Sequence, residues 1–193
     1  MTPRIDGAEE LARGRFLAFR KLHYTDARGR ARVWEAVDRV RADDPGPSAV
    51  FIVARIVPED EIVLIRQFRP PVGKPTIEFP AGLIDPGETP EATAVRELYE
   101  ETGFTGTVRS VTKGGYSSPG LSGESIVLAV MEIDGRTCPD GMIPPNHQED
   151  TEDITVFRVK RAELGKFIAE MEAAGCGVDS KLYTVLAFLE PGA

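Results

Sequence analysis

Cysteine is almost missing from these 193 residues, with only Cys138 and Cys176 present. Two thiols so far apart make neither a disulfide framework nor a metal-ligand spacing, so reduced thiols and a cytoplasmic setting are expected. Histidine is as scarce, and His23 and His147 read as surface residues without a chemical role. No run approaches the roughly 18 apolar residues that a membrane span requires. The opening segment MTPRIDGAEELARGRF has no apolar h-region, so neither an anchor nor export is indicated. Positive charge is short as well: 23 Lys and Arg against 31 Asp and Glu leave a formal charge of −8. Such a chain lacks the basic footprint by which proteins hold nucleic acid. Repeats and low-complexity tracts are also absent.

What is present is the composition of a folded globular protein, 41% apolar and 28% charged. The length suits one main domain with a small appendage. Residues 15–24 and 31–40 alternate on either side of Asp26-Ala27-Arg28-Gly29 and predict a hairpin, too small to be stable alone. The turn-rich patch Asp43 to Pro47 then marks a boundary, giving an antiparallel β-appendage over 1–45 and a main domain over 46–193. Two strand-like runs follow from Ala49 and Glu61, joined by Pro58-Glu59-Asp60. The pattern then turns helical: Thr89 fits an N-cap, Pro90 the first turn, and Gly103 the stop, so a helix is expected from Pro90 to Thr102. Strand patterns return at Thr107 to Tyr116, Ser125 to Glu132 and Ile154 to Val159. The long stretch Asp134 to Asp153 between the last two reads as a mobile loop with a use. Helices at Arg161 to Ala174 and Ser180 to Leu189 complete an α/β (α+β) chain, with helices flanking a mixed sheet.

Inside the first helix, Glu97 and Glu101 stand at i and i+4, with Glu100 at i+3 from Glu97, so all three carboxylates share one side. Like charges that close repel one another unless a cation or a basic neighbour offsets them. Alone, such a cluster is a solvated helix face. Here it belongs to a longer string: Gly82, five residues, Glu88, seven residues, then Arg96-Glu97-Leu98-Tyr99-Glu100-Glu101-Thr102-Gly103-Phe104. Gly82 is expected to permit a tight backbone turn, and Arg96 and Glu88 to pair and brace the helix. Hard oxygen ligands favour Mg²⁺ or Mn²⁺. Such cations would offset the negative charge that the three carboxylates gather.

This string resembles the Nudix box at every specified position, and the resemblance implies a Nudix fold and a metal-dependent hydrolase. By that resemblance, Glu97, Glu100, Glu101 and the carbonyl of Ala81 hold the metal, Mg²⁺ with Mn²⁺ as a substitute. Pro119, fifteen positions after Phe104, is similar to the proline marker of the ADP-ribose and ADP-sugar pyrophosphatase branch. The segments Arg66 to Pro71 and Ile77 to Ile84 extend the likeness, which covers about residues 15–190.

The branch implies substrate contacts at Phe16, Trp34, Glu35, Arg39, Arg69, Leu83, Ser118 and Glu124. Trp34 would stack on adenine, or serve the core. Phe16 would complete the base sandwich, or simply pack. Arg69 would bind phosphate, against an ordinary role as a surface arginine. Glu152 would act as catalytic base or orient the water beside Glu100 and Glu101, with Glu149 as its rival. The branch further implies a homodimer through the N-terminal strands. The implied reaction converts ADP-ribose, or a related ADP-sugar, to AMP and a sugar phosphate. Another nucleoside diphosphate derivative is the nearest alternative, and a non-catalytic ADP-ribose sensor is the alternative from another class.

Overall fold

Along Ala49–Val57, Val50, Ile52, Ala54 and Ile56 alternate with Phe51 and Val53, and each set packs into a different core. That two-faced burial organises the larger part of the protein, in which helices cover both faces of one sheet. The computed structural model describes residues 1–40, 46–139, 141–148 and 152–189. Residues 43–45 of the expected boundary patch lie outside that set.

The elements in chain order are β1 (Arg4–Arg13), β2 (Leu17–Thr25), β3 (Ala31–Arg39), β4 (Ala49–Val57), β5 (Glu61–Arg69), β6 (Lys74–Glu78) and β7 (Ala81–Leu83). Next come α1 (Pro90–Thr102), β8 (Thr107–Val111), β9 (Gly115–Tyr116), β10 (Ser125–Asp134), β11 (Thr155–Lys160), α2 (Leu164–Ala173), β12 (Gly177–Val178) and α3 (Ser180–Leu189). Among the described residues no helix is long and apolar enough to cross a membrane.

The chain divides into two compact units, one of Met1–Ser48 with Gly114–Ile126, the other of Ala49–Lys113 with Val127–Ala193. In the first unit β1, β2 and β3 form an antiparallel sheet in that order. The expected hairpin is β2 and β3, closed by the Asp26 carboxylate, which accepts the backbone N–H groups of Arg28 and Arg30 at 2.9 Å each. β1 is an additional strand on its outer edge, paired from Arg4↔Thr25 to Arg13↔Ala18. The segment 114–126 is laced to β3 by the Val37 N–H donating to the Leu121 carbonyl at 3.0 Å.

In the second unit the sheet path runs β12-β6-β5-β4-β10-β8, with β11 also on β5 and β7 on β4. One face packs Val50, Ile52, Val127, Ala129 and Met131 against Ala94 and Leu98 of α1. The other packs Ile62, Leu64 and Ile77 against Leu164 and Ile168 of α2 and Leu182 of α3. The expected strand Thr107 to Tyr116 is interrupted into β8 and β9, which pair with different parts of β10.

α1 has the expected ends. The Thr89 side chain accepts the Ala92 N–H, Pro90 occupies the first turn, and Gly103 closes the helix in the left-handed region at φ 73°. A Cβ on Gly103 would lie 2.3 Å from the Pro145 carbonyl oxygen. The Gly103→Ala protein is therefore expected to lose roughly 1–3 kcal/mol of stability from backbone strain, with crowding in addition. Thermal melting should show it as a fall of about 2–4 °C for each kcal/mol, and an unchanged melting temperature would refute the packing described.

Candidate active site

Ala94, Leu98 and Glu101 stand at i, i+4 and i+7 on the buried stripe of α1, and Glu97 falls beside that stripe at i+3 from Ala94. Glu101 is itself buried, 2% exposed, and its Oε2 accepts the Ala81 N–H of β7 at 2.9 Å. Burial drives the Glu101 carboxyl up to about 8, against the pull of the Ala81 N–H and with the negative charges of Glu97 and Glu152 adding to the rise. Glu97 is raised in the same direction, first by burial and then by Glu100 and Glu152, while Arg96 opposes the shift.

Gly82 serves this cluster by absence of volume. It sits in β7 opposite Val50, and its φ is not among the positive values. The expected tight turn is thus corrected: what a side chain here would meet is Glu97, whose carboxylate carbon and Oε1 lie 1.8 Å from the place of a Cβ. The glycine is a notch that seats the Glu97 head group.

Arg96 provides the positive charge. Its guanidinium donates to Glu88 at 3.0 and 2.9 Å, to Glu97 at 2.7 Å, to Glu100 at 3.0 Å and to the Leu83 carbonyl at 3.1 Å. The expected Arg96–Glu88 brace is present, and Arg96 holds the Glu88 carboxyl down at about 2. Sequence reasoning missed that the same arginine also gathers Glu97 and Glu100. Among the described residues no three His, Cys, Asp or Glu side chains are arranged to hold a metal ion; Glu97 and Glu100 each accept a hydrogen bond from Arg96. The donor set nevertheless fits a hard divalent cation. A buried carboxylate with one hydrogen bond and a raised pKa gains most from a cation, and the notch keeps a second carboxylate beside it.

Glu152 acts electrostatically on both Glu97 and Glu101, so the structure brings it to the box carboxylates. Glu149, its rival as base, lies outside the described residues. Arg69, at the end of β5, is fixed by Glu78, with Nε and Nη2 donating at 2.8 and 2.7 Å; that pair raises its pKa, with Glu101 adding a smaller push in the same direction. The Leu83 side chain is half exposed in β7.

The remaining expected contacts lie in the first unit. Trp34 is half exposed and donates through Nε1 to the Gly120 carbonyl at 3.1 Å. It lines a concavity of about 390 Å³ together with Leu22, Asp38, Tyr116, Pro119 and Leu121. Of these, Leu22, Asp38, Tyr116 and Leu121 were not singled out by the sequence, although Leu22 is the direct cross-strand partner of Trp34. Arg39 and Glu124 pair with each other at 2.5 Å, and Ser117 donates to Glu124 at 3.1 Å. Ser118 turns the chain, its carbonyl accepting the Leu121 and Ser122 N–H groups at 2.8 and 2.9 Å. Phe16 does not line the concavity; it is 65% exposed with the Arg15 guanidinium 4.9 Å from its ring. Glu35 is exposed on β3.

A model of the NUDIX domain matches residues 46–174. The chain is 32% identical over 187 residues to the ADP-sugar pyrophosphatase of Mus musculus, covering 93% of this chain and 84% of that one. It is 31% identical over 175 residues to the ADP-ribose pyrophosphatase of Saccharomyces cerevisiae, covering 89% and 75% respectively. The crystal structure of an ADP compounds hydrolase superposes with a TM-score of 0.64 at 23% identity, over 88% of this chain and 84% of that one, a likeness of fold.

Proposed function

The chain belongs to the Nudix family of hydrolases, and on that premise we propose that it cleaves the diphosphate bridge of ADP-ribose, or of a related ADP-sugar, to AMP and a sugar phosphate. The observation that carries the reading is the buried Glu101 beside the notch-seated Glu97. It occurs in a chain similar over most of its length to proteins named for ADP-ribose and ADP-sugar pyrophosphatase activity.

Hydrolysis adds water across one P–O bond of the bridge: the hydroxyl bonds to one phosphorus and the proton goes to the departing phosphate oxygen. Family members generally need a divalent metal ion; Mg²⁺ is the ion proposed here, Mn²⁺ the substitute, with Glu97, Glu100, Glu101 and the Ala81 carbonyl as ligands. When bound, it supplies neutralisation of the diphosphate and acidity to the attacking water. Arg69, aimed by its bidentate pair with Glu78, offers its remaining N–H donors to phosphate oxygens. Glu152 orients or deprotonates the water. Trp34 takes the adenine on its exposed ring, while Glu124, held by Arg39 and Ser117, faces selection among sugars. A homodimer through the N-terminal strands and a cytoplasmic setting complete the proposal; both cysteines being free and buried supports the latter.

The test is a panel of ADP-ribose, ADP-glucose, NADH and diadenosine polyphosphates with Mg²⁺ or Mn²⁺, ranked by kcat/KM. Release of AMP from ADP-ribose with the highest ranking is expected. Absence of turnover with either metal would overturn the reading and favour a binding-only role.

A further inference from the structure

The long connection from β10 to β11 reads from sequence as mobile, yet its described part is tethered at several points. Arg158 of β11, its side chain only 5% exposed and paired with Glu61 at 2.6 Å, donates to the carbonyls of Cys138 and Met142 at 2.7 and 3.0 Å. The Pro145 carbonyl packs against Gly103. The His147 N–H donates to the Glu100 carbonyl at 2.7 Å, and its ring stacks on Tyr99 with centroids 4.5 Å apart. Helices leave their last carbonyls without partners, and here this connection supplies two of them.

Asn146 links the two sides of the site. Its Nδ2 amide reaches the Glu101 carbonyl at 3.3 Å and the Ile154 carbonyl at 3.5 Å. A primary amide has two N–H donors, so one group can serve both acceptors. The next tie is Gln148, whose Oε1 accepts the Ile154 N–H at 2.7 Å. Glu152 therefore lies on a short stretch whose two ends, at Gln148 and Ile154, are joined to each other. That junction is in turn joined through Asn146 to the backbone of Glu101. Fixing Ile154 in this way limits where Glu152, two residues before it, can place its side chain.

From these contacts we infer that Asn146 and Gln148 are positioning residues for hydrolysis, a clasp that holds Glu152 at a fixed place relative to Glu97 and Glu101. The inference rests on the proposed role of Glu152. Neither clasp residue touches the substrate or the metal in this scheme. Each acts by narrowing the range of positions open to the Glu152 carboxylate, and that range governs the chemical step more than it governs binding.

The experiment is a set of double-mutant cycles on the full chain with ADP-ribose and saturating Mg²⁺: Asn146→Ala and Gln148→Ala, each alone and combined with Glu152→Gln. Glu152→Gln alone should lower kcat. Each clasp variant should lower kcat about 10–100-fold, as loss of a supporting partner does, with KM unchanged. In the Glu152→Gln background the clasp substitutions should cost nothing further, because residues acting as one unit are non-additive. Full losses in that background, or normal kcat in both single clasp variants, would overturn the clasp while leaving the role of Glu152 intact. An unchanged kcat in Glu152→Gln would remove that role and the clasp together. If Asn146→Ala fails to fold by circular dichroism, Gln148→Ala decides by the same comparisons.

Discussion

The Glu101→Gln protein is expected to fold, to bind substrate, and to turn it over about 10³-fold more slowly. An amide oxygen can still accept the Ala81 N–H that Glu101 now accepts at 2.9 Å, so the local structure has little reason to change. What disappears is a negative ligand in a buried place, and metal-borne stabilisation of the transition state amounts to several kcal/mol, at a factor of ten for each ~1.4 kcal/mol. Stability gives an independent readout. With its carboxyl near 8, folded Glu101 holds its proton more tightly than it does in the unfolded chain. Its contribution is full below the ordinary carboxylate range, declines as pH rises, and is lost once pH passes about 8. In chelator, the wild-type melting temperature should carry that decline and the Glu101→Gln protein should lack it. Added Mg²⁺ should raise the wild-type value more at the alkaline end of this range than at the acid end, since the ion takes over from the proton. A variant that keeps wild-type kcat would remove Glu101 from the reaction.

How much of the fold and the site is legible in the sequence depends on whether the cause is local. The ends of α1 are set by Thr89, Pro90 and Gly103 acting on their own neighbourhood, and both ends fall where the sequence places them. β7 escapes a sequence reading because a three-residue strand has no pattern of its own and exists only through Ala81 to Leu83 pairing with β4. β1 escapes for a related reason: RIDGAEELAR is polar and exposed throughout, and pairing with β2 makes it a strand. In the site, the i, i+4 spacing suffices by itself to gather Glu97 and Glu101 on one side of the helix. It cannot say that Arg96 will reach Glu88, Glu97 and Glu100 together, because that depends on how the loop before α1 returns to it. The Asn146 and Gln148 contacts are equally hidden, since their partners are backbone groups, which no residue pattern reports. The concavity around Trp34 lies between these cases. Leu22 is implied by the hairpin register, whereas Tyr116 and Leu121 come from a distant stretch.

The notch at Gly82 permits a sharper test, because steric displacement and loss of charge can be separated there. Gly82→Ala changes no ionisable group and asks for no forbidden backbone conformation, as the φ at this position is not positive. Its new methyl would fall 1.8 Å from the Glu97 Cδ and 2.4 Å from Oε2, and of the two groups the end of a glutamate side chain is the one able to move. The protein should keep its melting temperature in chelator to a good approximation, since Glu97 can swing toward solvent. Its kcat/KM should nevertheless fall about 10²-fold, the scale that follows a misplacement of about 1 Å in a catalytic group. It should also need more Mg²⁺ for half-maximal activity, which separates it from a defect in substrate recognition. Shortening the displaced side chain completes the argument. Glu97→Asp alone withdraws the carboxylate from the notch, so adding Gly82→Ala to it should cost little more, and the two losses should be strongly non-additive. Losses that multiply would mean that the glycine serves the pairing of β7 with β4 rather than Glu97. Wild-type activity in Gly82→Ala at wild-type Mg²⁺ would mean that the position of the Glu97 carboxylate does not govern the reaction.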